Sequence, residues 1–151
     1  MDKLNFLKNE FPNLLKKLNP ETKGAWGVLS AQGMVEHMAE SFSQATGLNN
    51  QKLHTAPELV EKYKAYALSD KDFKPNTKNG LMSETPAPLL KSSMDEAIAE
   101  LEKQIANFIQ YFETNKGAII TNAFFGDLNF EEWTHLLHKH AVHHCKQFGL
   151  L

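Results

Sequence analysis

Five of the seven histidines of this 151-residue chain lie between His135 and His144, inside the stretch WTHLLHKHAVHHCKQFG that runs from Trp133 to Gly149. Imidazole is the commonest ligand for transition metals and the only side chain that ordinarily titrates near neutrality. On a helix, advancing about 100° per residue from His140, Trp133, Leu136, Leu137, His144 and Gln147 all fall within about 60° of it. His140 and His144 therefore continue an apolar stripe. His143 falls at its edge, and His135 and His138 fall on the far side, where solvated surface residues are expected. Histidines at i and i+4 point the same way one turn apart and can hold one ion between them. His140 and His143, at i and i+3, are a competing pair.

A third inward histidine stands elsewhere. Ser30 is a good N-cap for a second helix, whose inner face reads Met34, His37, Met38, Ser41 and Ala45. His37 is thus an imidazole in the middle of an apolar stripe. One such residue is ordinarily a core histidine satisfied by a neighbour, but three polar rings turned into one core are costly to bury without a common partner. Two ligands from one helix and one from another is a way in which helical bundles build metal sites. Three neutral imidazoles suit a divalent transition metal, zinc or nickel first and iron or copper next, better than calcium or magnesium. Three protein ligands also leave a coordination position open, as in catalytic zinc sites. The metal ligands expected are His37, His140 and His144. His143, Gln147, Glu40 and Trp26 are expected to line the pocket or orient a ligand, with Glu36 a second candidate acceptor beside His37. Glu36 and Glu40 read equally as ordinary helix-surface glutamates. His54 is expected at the surface.

The elements that must position these residues are helical. Leu4, Leu7, Phe11, Leu14, Leu15 and Leu18 mark a first helix over 3–18. Pro12 should kink it or split it into two short helices. A loop, 20–29, carries Trp26. The second helix stops near Gly47. Residues 48–92 hold Pro57, Pro75, Pro86, Pro88 and the polar run from Lys74 to Gly80. Within them one short helix over 57–68 is expected to pack Leu59, Val60, Tyr63 and Tyr66 inward. A third long helix begins at a capping box formed by Ser93 and Glu96. Its seam is Ile98, Leu101, Ile105, Phe108 and Phe112, and it ends at Gly117. Residues 118–129 read as a loop, with Asn129 the N-cap of the histidine-bearing helix. No alternating pattern persists, so the expected fold is an all-α four-helix bundle, one domain over 1–151, with a long crossover between helices two and three.

Three blocks carry a resemblance to a known family: AWGVLSAQGMVEHM (25–38), FFGDLNFEEW (124–133) and HKHAVHHCKQFG (138–149). Together they resemble the DinB-like superfamily, in a branch known only as a domain of unknown function. The resemblance implies a four-helix bundle that holds a metal through one histidine of helix two and two of helix four, which map onto His37, His140 and His144. Where the family commonly has His-Pro before Phe-Phe-Gly, this chain has Asn122-Ala123. Activities in the wider superfamily include thiol-dependent transferases and isomerases, with hydrolases proposed. The function expected is a metal-dependent transferase or hydrolase acting on a small molecule, with a low-molecular-weight thiol as partner. The alternative is a non-catalytic bundle that binds a metal or small ligand.

Composition bounds the rest. A hydrophobic content of 42% supports one core. A net charge of −2 with a pI near 6.4 provides no electrostatic footprint for nucleic acid or anionic membrane. No apolar run is long enough to span a bilayer. MDKLNFLKNEF is too charged for a signal-peptide core. The lone Cys145 fits a reducing cytoplasm and points away from the histidines as a bystander thiol. A homodimer is the assembly considered.

Overall fold

A computed structural model describes residues 2–47, 52–75 and 88–151. In chain order they form α1 (Lys3–Asn5), a π-helical turn (Phe6–Glu10), α2 (Phe11–Lys16), α3 (Ala31–Gln44), a 3₁₀ turn (Pro57–Leu59), α4 (Val60–Leu68), α5 (Met94–Thr114), β1 (Ile120–Asn122), β2 (Gly126–Leu128) and α6 (Phe130–Gln147). The fold is helical, as expected, with one small hairpin. One core cluster draws Leu7, Phe11 and Leu15 from the first helical rod, Met34, Met38 and Phe42 from α3, Leu101 and Phe108 from α5, and Trp133 and Leu137 from α6.

Pro12 does not break the first rod. Helical backbone continues through Glu10 and Phe11, both in the right-handed region. A proline ring presses on the carbonyl four residues back, here Lys8. That residue lies inside the π turn, where the bonding has shifted by one residue and the Phe11 N–H reaches Phe6 O. The wider turn takes up the ring, so a single rod covers Phe6, Leu7, Phe11 and Leu15, all buried.

Helix α3 starts as its sequence indicates, with Ser30 Oγ accepting from Gly33 N–H at 2.9 Å. Helix α5 has the Ser93 cap, accepting from Glu96 N–H at 3.2 Å. The return half of the expected box goes one residue upstream, because the Glu96 carboxylate accepts from the N–H and hydroxyl of Ser92. The whole expected seam is buried. Phe108 is its aromatic centre, with ring centroids 5.7 Å from Phe42, 5.4 Å from Phe112 and 5.5 Å from Phe130. Helix α6 opens on a full capping box between Asn129 and Glu132, which satisfies two otherwise orphaned N–H groups at that end.

Two expectations need correction. The 118–129 stretch contains an antiparallel hairpin that pairs Ile120 with Leu128 and Asn122 with Gly126. Asn122 Oδ1 accepts from the N–H groups of Phe124 and Phe125 and so folds the turn, and Gly126 supplies a φ of 77°. Trp133 Nε1–H then donates to Ile120 O and seats the hairpin on α6. Within the crossover, α4 forms where expected, but Leu59 and Tyr63 are exposed and its buried residue is Ala67. Most of the polar run Lys74–Gly80, and Pro86, lie outside the described residues. No helix of the described residues is long and apolar enough to cross a membrane.

Leu101 and Phe108 are fully buried. Truncating either to alanine is expected to cost about 2–5 kcal/mol in chemical denaturation. A loss below about half a kcal/mol at both would show that the core is organised around another seam.

Candidate metal centre

Three imidazoles from two helices converge. His37 Nε2 lies 3.0 Å from His140 Nε2, which lies 3.0 Å from His144 Nε2. The three ligand atoms are all within 4.8 Å of one another. The i, i+4 spacing on α6 aligns His140 and His144, and α3 brings His37 to them edge-on, its ring 80° from that of His140.

The arrangement fits a transition metal. A tetrahedral ion with bonds of about 2.0–2.1 Å holds neighbouring nitrogens roughly 3.3 Å apart, close to the 3.0 Å of the two contacts that His140 makes. A neutral ring offers only one N–H, and His140 Nε2 faces two partners, so at most one of the two contacts can use its proton. Nitrogen lone pairs are left pointing at a common centre, which a cation satisfies.

Burial lowers all three pKa values. His140 is held well below the ordinary imidazole range by burial and then by His144 and His37. His144 is pushed down to about 3 by burial and His37, against a hydrogen bond with Gln147 that works the other way. His37 is lowered by burial and by His143. The neutral, metal-competent form of each is therefore the one the fold favours.

The residues expected around the ligands divide. Gln147 is buried and touches His144, its Oε1 lying 2.7 Å from Nδ1. Trp26 packs its ring 5.3 Å from that of His143, and its carbonyl accepts from Gln147 Nε2 at 2.8 Å. His143 stands beside His144, ring centroids 5.1 Å apart. Its Nε2 is not one of the three converging atoms, and burial lowers its pKa despite a backbone hydrogen bond with Phe73. The Glu40 side chain is exposed, and its backbone carbonyl accepts from Ser43 Oγ. Glu36 instead accepts from the N–H groups of Leu90 and Lys91, tying the end of the crossover to α3.

His135 and His138 are half-buried rather than solvated. His135 Nδ1 lies 2.6 Å from Lys3 Nζ and its Nε2 3.0 Å from Ser69 O. His138 packs edge-on against Phe6. His54 is exposed as expected, its ring against Phe124. Two neighbours escaped the sequence reading. Phe73 lies 6.3 Å from His140 and 6.2 Å from His143, both edge-on, with Phe125 stacked on it at 6.4 Å. Lys139 is buried, its ammonium donating to Tyr66 O and lying over the rings of Tyr66 and Phe73. The available signals were an aromatic alone in a polar run, DKDFK, and a second stripe on α6 formed by His135, Lys139, His143 and Lys146. Cys145 belongs to the core, its thiol pushed up to about 12 by burial, so it takes no part here.

A family model described as the DinB superfamily matches residues 9–148. No curated protein and no solved structure gives a match.

The lowered pKa values set a pH dependence for the metal-free protein. Above pH ~6.5 these rings are neutral both folded and unfolded, so they add no slope. Below that the unfolded chain takes up protons first. Stability is expected to fall from pH ~6.5 downward, the His144 contribution continuing toward its folded value of about 3. Urea unfolding of chelator-treated protein between pH 8 and 4.5 should show this fall, with a shallower slope in His144→Gln. Equal slopes in the two proteins would contradict the assignment.

Proposed function

The chain belongs to the DinB superfamily, and on that premise we propose that it is a metal-dependent enzyme acting on a small molecule, a thiol-dependent transferase or hydrolase. The observation that supports this most is the convergence of His37, His140 and His144 on one point from two helices. Zinc or nickel is the expected metal and iron the next, because three neutral imidazoles suit these ions. When bound, such a metal supplies Lewis acidity that favours the ionised form of a thiol or water at its open position.

The chain's own residues do the rest. The helices α3 and α6 hold the three ligands on rigid backbone. Trp26 and Phe73, each half-buried and from separate connecting segments, put apolar surface against His143 and, for Phe73, His140, with Phe125 packed behind Phe73. Such surroundings limit water and strengthen electrostatic interactions at the centre. His143 stands next to a ligand and offers a further imidazole toward a bound substrate.

One observation favours the second reading, non-catalytic metal binding: among the described residues no carboxylate hydrogen-bonds to the three histidines. Saturable turnover of a thiol with an electrophile by the metal-loaded protein separates the two readings.

The ligand set is tested by substitution and elemental analysis of protein purified without a histidine tag. His37→Ala, His140→Ala and His144→Ala are each expected to lose most of the metal, whereas His135→Ala and His138→Ala keep it. Full retention in His37→Ala would remove the two-helix site.

A further inference from the structure

We infer that Gln147 is a positioning residue, locking His144 in the tautomer that carries its proton on Nδ1 and so aiming a bare Nε2 at the other two histidines. The metal consequence rests on the reading above. The tautomer itself does not.

The argument runs from the backbone outward. The Trp26 carbonyl lies 2.8 Å from one end of the Gln147 amide. A carbonyl can only accept, so the NH₂ end of the amide must face it. That fixes the other end, Oε1, toward His144 Nδ1 at 2.7 Å. An amide oxygen can only accept, so the proton must sit on Nδ1. In a neutral imidazole Nε2 is then unprotonated, and it is Nε2 that lies 3.0 Å from His140 Nε2. A backbone group on a loop thus dictates which nitrogen of a buried histidine is free.

The geometry around Gln147 shows why the loop can come so close. Ala25 N–H donates to Gln147 O at 2.7 Å, a second tie between the loop and the last turn of α6. A Cβ at Gly27 would stand 3.0 Å from Gln147 Nε2 and would need the strained φ of +78°. A Cβ at Gly24 would stand 2.9 Å from Trp26 O and 3.1 Å from Gln147 Cγ. Glycine at both places leaves room for the amide. Only a side chain that accepts at one end and donates at the other serves both neighbours. A carboxylate keeps the bond to His144 but turns an oxygen on the Trp26 carbonyl. A leucine keeps the volume and loses both bonds.

Two readouts test this. In long-range ¹H–¹⁵N spectra of metal-free protein, His144 should show a protonated Nδ1 and an unprotonated Nε2. Gln147→Leu should give a mixture of tautomers, and Gln147→Glu should restore the single one. Zinc affinity, measured by competition with a chromophoric chelator, should fall about 10–100-fold in Gln147→Leu. In Gln147→Glu it should stay within about threefold of the parent, because the acceptor to His144 remains. A merely structural role predicts that Glu, which breaks the loop contact, is as damaging as Leu. Nε2 protonated in the parent protein, or unchanged tautomer and affinity in Gln147→Leu, would overturn the proposal. If Gln147→Leu does not fold, the parent tautomer and the Glu variant still decide it. If the parent binds no zinc, the metal reading fails while the tautomer spectrum still judges Gln147.

Discussion

Three imidazoles sharing one point in a helical core is the constraint on which the rest of this molecule depends. His37 is carried by α3, and His140 and His144 by α6, so the two helices must pack at a separation that leaves Nε2 of His37 3.0 Å from that of His140 and all three atoms within 4.8 Å of one another. Burying three polar rings is costly unless their lone pairs find a partner. The core around them offers little help, being built from Met34, Met38, Phe42, Leu101, Phe108 and Leu137. The α5 seam holds α3 in place, and the capping box at Asn129 with the hairpin held by Trp133 fixes the start of α6. These contacts supply the stability against which the histidine cluster is assembled.

The histidine-bearing helix has two working faces. One presents His140 and His144 to α3. The other, formed by His135, Lys139, His143 and Lys146, grips the end of α4 and the chain that follows it: Lys139 at Tyr66, His135 at Ser69, Lys146 at Asp72 and His143 at Phe73. Lys139 supplies a positive charge to the last carbonyls of α4, where a helix end favours a cation. The same grip places Phe73 against His140. A basic, histidine-rich sequence thus divides into converging imidazoles on one side and anchors on the other. The anchors bring an aromatic ring, Phe73, to His140.

Much of this arrangement is legible in the sequence. A 3.6-residue period separates His140 and His144 from their neighbours by angle alone, and it places His37 on the inner face of its helix. The α5 seam and the caps Ser30, Ser93 and Asn129 follow from local chemistry that tertiary packing had no reason to override. The misses have physical causes. Each strand of the hairpin is three residues long, too short for alternation to register. Pro12 reads as a kink or a split into two short helices because a π turn has no sequence signature of its own. His135 and His138 lie on the polar side of α6, and only the fold reveals that the rod beginning at Lys3 and the segment after α4 cover them. Glu36 and Glu40 look alike beside His37, yet among the described residues it is Glu36 that meets the backbone of the crossover, a partner distant in sequence.

X-ray absorption at the metal edge of protein loaded with one equivalent of zinc tests the central claim most directly. The account predicts a first shell containing three nitrogen scatterers at about 2.0–2.1 Å with imidazole outer-shell features, lost together when His37 is replaced. A first shell dominated by oxygen, by sulfur from Cys145, or by fewer than two imidazoles would contradict it.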